Sequence, residues 1–420
     1  MPTFTIVFLT AVFASLALTL WLARRHAMHV LAHRASVPVE FAGSISLDAH
    51  QRAADYTVAR TRFGMLEALL DTALLLLLTL GGGLQAIAGL VAGLPAGYGR
   101  ELALIAMVAL VSGLVSLPFS WHRTFGIEAR FGFNQMTRRL FITDMVKGVL
   151  LGAALGTPLI LAILWFIQSA GPEWWLYAWL AYCAFQLLVL FLFPTVIMPL
   201  FNKFTPLEDG ALKSAIENLL KRCGFTAGGL FVMDGSKRSR HSNAFLSGFG
   251  AAKRIVLFDT LIQKLGQHEI EAVLAHELGH FRHRHIIKRI VLSFALSLGF
   301  FALLGHLMGK DWFFSGLGVA AGSPAMALVL LTLALPVFTF LFTPLMSLSS
   351  RKHEFEADAY AVTQTSGADL IGALTKIYND NAATLTPDPL HSAFYDSHPP
   401  AFIRIGRIRQ GSAAAAGMAA

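Results

Sequence analysis

The stretch Glu271-Ala-Val-Leu-Ala-His-Glu-Leu-Gly-His280 decides how the whole chain is interpreted. Its apolar residues and strong helix formers predict a helix. In a helix, His276 and His280 are four residues apart on one face, so both imidazoles can reach a single ion. Glu277 follows the first histidine and completes the HExxH pattern. In that pattern the histidines bind Zn²⁺ and the glutamate is the general base for the attacking water.

The composition indicates a membrane protein. Of 420 residues, 55% are hydrophobic and only 14% are charged, and the mean hydropathy is +0.61. A soluble chain of this length carries more charge, so we expect the lipid bilayer as a partner. Two cysteines are too few for a disulfide framework. The basic residues are scattered along loops without an aromatic stacking platform, which argues against nucleic acid.

Seven apolar stretches are long enough to span a bilayer. They cover residues 4–23, 65–94, 101–120, 148–168, 175–200, 286–308 and 325–348. The first has no preceding positive charge and is followed by Arg24 and Arg25, which predicts an uncleaved anchor. All but Arg100 and Lys310 of the 33 basic residues fall on one side of the spans. By the positive-inside rule, the N-terminus lies outside and the HExxH helix is cytoplasmic.

The second span contains Glu67 and Asp71, four residues apart on one face. Two interpretations are open. Carboxylates at membrane depth face protein or a water-filled cavity, whereas carboxylates at a span end lie at the membrane boundary.

The same topology divides the chain into five parts. Residues 1–200 hold spans one to five, 201–285 a cytoplasmic metalloprotease domain, 286–349 spans six and seven, 350–410 the rest of that domain, and 411–420 a disordered low-complexity tail. Within the domain, 212–222 is predicted as an amphipathic helix, 229–233 and 254–258 as strands, and 235–242 as a basic loop. An extended peptide substrate can add itself to an exposed strand edge beside the metal helix.

A catalytic zinc needs a third protein ligand. His283 shares a face with His276, but seven helical residues span about 10.5 Å, too far for one ion. We therefore interpret His283 and His285 as polar residues at the membrane interface. Glu354 and Asp358 are four apart on one helical face, which lets Glu354 bind zinc and Asp358 orient a ligand histidine, while Glu356 points elsewhere. A solvated acidic helix start is the alternative that position alone leaves open.

Further motifs restrict the family to which the HExxH helix can belong. They are Arg130-Phe-Gly-Phe-Asn134, Asp234-Gly-Ser-Lys-Arg238, His241-Ser-Asn-Ala-Phe245, Lys253-Arg-Ile-Val-Leu-Phe-Asp-Thr260, Glu354-Phe-Glu-Ala-Asp358, and Ser397-His-Pro-Pro400 with Arg404. Together with the HExxH helix and seven spans, they resemble the integral-membrane zinc endopeptidases of the CAAX prenyl protease 1 type.

The resemblance implies a fold and a site. The fold is an α-helical membrane protein in which seven transmembrane helices form a barrel around a large water-filled chamber. A mostly α metalloprotease domain with a small β element closes the chamber on the cytoplasmic side. Glu354 matches the third zinc ligand and Asp358 the acid behind it. Asn243 and His398 match residues that line the substrate site, and Arg404 matches a basic residue close to it.

The predicted reaction is hydrolysis of a peptide bond in a peptide or protein substrate, by the resemblance a prenylated C-terminus, with one Zn²⁺ per chain. Glu277 activates the water and returns the proton to the leaving amine, while His398 or Arg404 stabilises the oxyanion. The alternative enzyme is a bacterial quality-control metalloprotease of membrane proteins. A seven-helix transporter or receptor with a structural zinc is disfavoured, because structural sites are usually closed by four Cys or His ligands. The composition favours a bacterial inner membrane, and a eukaryotic chain would lie in the endoplasmic reticulum membrane.

Overall fold

The computed structural model describes residues 2–248, 253–320 and 322–419, with side chains as far as Gly411. Its first half is helical. The helices are α1 (Thr3–Ala32), α2 (Leu47–Leu78), α3 (Gly83–Val91), α4 (Tyr98–His122), α5 (Arg138–Ser169), α6 (Trp174–Leu192) and α7 (Met198–Phe201). Two π-helical turns, Arg123–Glu128 and Phe193–Ile197, extend α4 and join α6 to α7.

A glycine triplet breaks the second span. Gly82 has φ +79°, a left-handed conformation that favours glycine, and it separates α2 from α3 at an angle of 56°. Among the described residues, six helices are long and apolar enough to cross a membrane, and the bent pair α2–α3 provides a seventh span. This count agrees with the seven predicted spans.

The polar stretch between the predicted spans 4–23 and 65–94 is largely helical. Helix α1 continues to Ala32 and α2 already begins at Leu47, so the two form an antiparallel pair. Small and β-branched side chains on the two helices are buried against each other: Ala27, Val30, Ala54 and Val58. Hydropathy marks the part of a helix that meets lipid, and it does not mark where the helix ends.

The polar part that follows span five contains a small sheet. Its elements are β1 (Phe204–Pro206), α8 (Ala211–Arg222), β2 (Leu230–Met233), β3 (Ala244–Ser247), β4 (Arg254–Phe258), α9 (Asp259–Lys264) and α10 (Gln267–Arg282). The strand order is β1-β2-β4-β3, with β2 parallel to β4 and the outer strands antiparallel. Strand β3 is therefore an edge strand, and it also contacts α10.

The remaining helices contain the last two membrane spans and the rest of the polar part. They are α11 (His285–Leu307), α12 (Asp311–Gly316), α13 (Pro324–Thr339), α14 (Thr343–Gln364), α15 (Gly367–Asp380), α16 (Pro389–Tyr395) and α17 (Ala401–Ala419). A 3₁₀ turn at Phe340–Phe342 joins α13 to α14, so the last span continues directly into the polar part, where α14 packs along α10.

Helix α17 also covers the segment 411–419, where the sequence predicted a disordered tail. Alanine has the highest intrinsic helix propensity, which explains why this alanine-rich stretch continues the helix.

Candidate metal centre and active site

Helix α10 presents the two histidines of the HExxH pattern. Its first turn is capped because the backbone N–H of Gly266 donates to the Glu269 carboxylate at 2.8 Å. The imidazole rings of His276 and His280 lie with centroids 4.9 Å apart on the face that meets α14. The apolar residues of α10 face the opposite way, into a core with α8, the sheet and α15. This burial fixes the rotation of α10 about its axis.

Helix α14 brings Glu354 to the same face. Its Oε2 lies 3.4 Å from Nε2 of His276, and its Oε1 lies 3.4 Å from Nε2 of His280. Two ligands at 2.0–2.1 Å from a tetrahedral ion are about 3.4 Å apart. The three side chains therefore already have the spacing of a zinc ligand set, with ligand atoms within 4.8 Å of one another.

A polar atom without a donor supports the same conclusion. Oε2 of Glu354 is buried and accepts no hydrogen bond from any described residue. Buried carboxylate oxygens are normally bonded, so an unbonded one beside two imidazoles fits a metal-binding site. Two imidazoles and one carboxylate fit Zn²⁺ and leave a coordination position open.

The helices α10 and α14 approach closely at two small residues. A Cβ on Gly279 would lie only 2.8 Å from Cα of Ala357. Ala357 lies between Glu354 and Asp358 on α14. The glycine within the HExxH segment therefore determines how near the carboxylates come to the histidines.

Asp358 lies behind His276, as predicted. Its Oδ1 is 2.8 Å from Nδ1 of His276, so the imidazole can donate there and keep Nε2 free for an ion. Burial lowers the pKa of His276, but its hydrogen bond to Asp358 and the adjacent Glu354 carboxylate outweigh burial and raise it to about 9 in the metal-free protein.

Arg404 lies beside the ligand set and contacts both carboxylates of α14. Its Nε and Nη2 donate to Asp358 at 2.8 and 2.6 Å, and its Nη1 lies 3.6 Å from Glu354. Only 5% of the residue is exposed. Burial lowers the pKa of Arg404, but the hydrogen bonds to Asp358 raise it by more, so the guanidinium stays charged. Its contacts are those of a counter-charge for two buried carboxylates.

Glu277 and His398 both keep part of their surface exposed to solvent. Glu277 is half-buried, and burial raises the pKa of its carboxyl. This is the direction that prepares a carboxylate for general-base work near neutral pH. The His398 side chain is 63% exposed, and its Nε2 lies 3.6 Å from Oε1 of Glu354.

Asn243 is exposed immediately before the edge strand β3. Its Oδ1 accepts from the backbone N–H of Ala244 at 2.9 Å, a local bond rather than one to the ligand side chains. Its position at the strand edge suits contact with an extended peptide.

His285 is buried, although the sequence predicted a polar residue at the membrane interface. It is 1% exposed, and its Nδ1 lies 2.9 Å from Nδ1 of His280, so its ring packs against the metal helix. The backbone reverses at Arg284, which has φ +56°, and this turn folds His285 back onto the metal helix. No sequence signal marks a positive φ at an arginine, so the contact was not foreseeable. His283 is the C-terminal cap of α10.

The carboxylate Glu67 forms an ion pair with Arg123 and lines a polar cavity of about 620 Å³ with Arg60 and Asp396. Glu67 therefore agrees with the interpretation in which the carboxylates of this span face a cavity. Asp71 is exposed.

Apolar spans combined with an HExxH helix, a facing glutamate and an open ligand position define the class of integral-membrane metallopeptidases. The chain matches the family model "CAAX prenyl protease N-terminal, five membrane helices" over residues 26–203 and "Peptidase family M48" over residues 206–412.

Curated relatives cover most of the chain. It is 37% identical to the CAAX prenyl protease 1 homolog of Oryza sativa subsp. japonica, covering 90% of this chain and 92% of the relative. It is 38% identical to CAAX prenyl protease 1 of Saccharomyces cerevisiae over 71% of this chain and 70% of that one. The crystal structure of S. mikatae Ste24p has a TM-score of 0.90 at 31% identity, covering 97% and 99% of the two chains. The protein belongs to the CAAX prenyl protease 1 family. It is a multi-pass membrane metallopeptidase.

Proposed function

We propose that this protein is a zinc-dependent endopeptidase that cleaves the C-terminal CAAX segment of prenylated proteins. The observation that carries the proposal is the ligand set His276, His280 and Glu354, with Glu277 directly after His276 on the same helix. The names of these relatives, CAAX prenyl proteases, support prenylated proteins as the substrate class. They do not favour the alternative of quality control of membrane proteins.

The chain's own residues supply most of the mechanism. Zn²⁺, when bound by the three ligands, acts as a Lewis acid on the attacking water and on the scissile carbonyl. Glu277 accepts the proton of that water and delivers it to the leaving amine. His398 Nε2–H, close to Glu354 and open to solvent, is the donor assigned to the developing oxyanion. Arg404 is assigned to holding Asp358.

An apolar cavity supports a substrate that carries a lipid chain. Its volume is about 840 Å³, and its lining comes from membrane helices and includes Ile163, Leu296 and Phe301. It adjoins a second cavity of about 450 Å³ that includes Ser397, the neighbour of His398. The two share Arg289, Leu292 and Met346. Two neighbouring cavities with shared lining residues would let an isoprenoid lie between the helices while the peptide extends toward the metal centre.

The free edge of β3 supports binding of an extended peptide. Strand β3 pairs with β4 on one side only and packs on the metal helix with its inner face. A peptide added to its other side would gain backbone hydrogen bonds that do not depend on sequence. The positive-inside distribution assigns this face to the cytoplasm.

The test is cleavage of a farnesylated CAAX peptide and its unprenylated twin by purified protein. Wild type should cleave the farnesylated peptide, and a chelator should abolish cleavage. Glu277→Gln should retain bound zinc and lose turnover. Glu271→Gln, on the same helix, is the matched control and should behave as wild type. Near-normal cleavage by Glu277→Gln would refute the assigned base, and equal cleavage of both peptides would refute the need for a prenyl group.

A further inference from the structure

A second chain of hydrogen-bonded side chains lies behind the other ligand histidine. Nδ1 of His280 lies 2.9 Å from Nδ1 of His285, and Nε2 of His285 lies 2.8 Å from Oε2 of Glu356. The proposed mechanism uses neither residue. We propose that His285, fixed by Glu356, is a positioning residue that holds His280 in the orientation and tautomer required for metal binding. The inference rests on the proposed function only in taking His280 as a ligand.

The three side chains define where the protons lie. A carboxylate only accepts, so the bond to Glu356 requires the proton on Nε2 of His285. The neutral ring then has a lone pair on Nδ1, which accepts from Nδ1–H of His280. Nε2 of His280 is left with its lone pair, and this is the atom 3.4 Å from Glu354. The chain of bonds therefore aims the correct nitrogen at the ion.

The arrangement parallels the one behind His276. There Asp358 receives the Nδ1 proton directly, whereas His280 reaches its carboxylate through one imidazole. Lys288 Nζ lies 4.0 Å from the same oxygen of Glu356, and Lys352 Nζ lies 3.9 Å from its other oxygen. Partners of this kind orient ligand histidines, and losing one typically reduces metal affinity 10–100-fold.

A second metal site is the competing use of these residues, since His285, His353 and Glu356 also have ligand atoms within 4.8 Å of one another. The ring geometry opposes it. The rings of His285 and His353 are stacked at 4.0 Å with 18° between their planes. An imidazole binds an ion in its own plane at about 2 Å, and two nearly parallel planes this far apart do not meet at such a point. The two lysines at Glu356 also disfavour a cation.

The experiment measures zinc affinity by competition with a chelator in the purified full-length protein. His285→Leu removes the acceptor at similar bulk and should weaken zinc binding 10–100-fold. His285→Asn should restore part of the affinity, because its Oδ1 can accept from His280 where Nδ1 did. His268→Ala, an exposed histidine at the start of α10, should leave affinity unchanged.

If His285 acted only through packing, the zinc affinities of the Leu and Asn variants would have the opposite order. Because His285 is buried, Leu would then be tolerated better than Asn, and the melting temperatures would follow the same order. Wild-type zinc affinity in His285→Leu would overturn the inference. His276→Ala separates the two proposals: if it also retained zinc, the ligand set itself would be wrong, whereas zinc loss in His276→Ala alone would reject only the role of His285.

Discussion

Adding one methyl group at Gly279 should displace the metal ligands without changing any of them. A Cβ there would lie 2.8 Å from Cα and 3.0 Å from the carbonyl oxygen of Ala357. Carbon atoms in contact prefer about 3.5–4.0 Å, so α10 and α14 must separate by roughly 0.7 Å. Ligand distances at a metal tolerate only about 0.2 Å. Gly279→Ala should therefore move Glu354 out of range of the ion bound by the two histidines.

Two opposing effects determine the stability of this variant. Overpacking of a tight interface costs about 1–3 kcal/mol, while alanine is favoured over glycine in a helix by about 1 kcal/mol. We expect the free energy of unfolding to fall by up to about 2 kcal/mol. Zinc affinity should fall at least tenfold. The assays are thermal unfolding in detergent and chelator competition for zinc.

Gly406 on α17 provides the control, because a Cβ at that position meets no atom within 4 Å. Gly406→Ala should keep wild-type zinc affinity and equal or slightly higher stability. Wild-type zinc affinity and turnover in Gly279→Ala would refute the argument that this contact determines the position of the third ligand.

Three further predictions concern charge and substrate. Arg404→Ala leaves the buried Asp358 without its guanidinium partner and should lower the free energy of unfolding by about 3–5 kcal/mol. Unchanged stability with reduced kcat would instead favour a role of Arg404 at the oxyanion. Burial raises the pKa of Asp388, but its bonds from the His391 N–H and from Arg25 outweigh burial and lower it. Asp388→Asn should thus lower the free energy of unfolding by about 1.5–3 kcal/mol at pH 7. This difference in stability from wild type should shrink as pH falls below about 4, where the wild-type carboxylate becomes protonated. A difference that stays constant with pH would exclude the ion pair. Asn243→Ala should raise KM for the peptide while zinc affinity stays unchanged, and a loss of zinc would contradict a substrate role.

Local patterns in the sequence were sufficient for the metal helix and its neighbours. The four-residue spacing of His276 and His280 is a property of one helix, and strand 254–258 has the bounds that its β-branched run predicted. The amphipathic helix at 212–222 begins one residue earlier than predicted. In each case, the periodicity of a single element determines which side chains share a face.

Contacts between distant elements could not be derived in this way. Glu354 was a candidate ligand by its spacing to Asp358, but its distance to the histidines depends on the approach of α14 to α10. The position of His285 depends on a left-handed arginine, and the role of Arg404 depends on how α17 docks. Resemblance to a family supplied residue names for the site, and it supplied no information on which atoms are in contact.

The charges at the site explain why these tertiary contacts belong together. Glu277, Glu354 and Asp358 bring three carboxylates to a largely buried region, and Arg404 brings one guanidinium. The carboxylates exceed the guanidinium by two charges when all are ionised, and one divalent cation balances this excess. Arg404 therefore reduces the repulsion between carboxylates while leaving the charge that binds the metal, a balance that a neutral residue at position 404 would not provide.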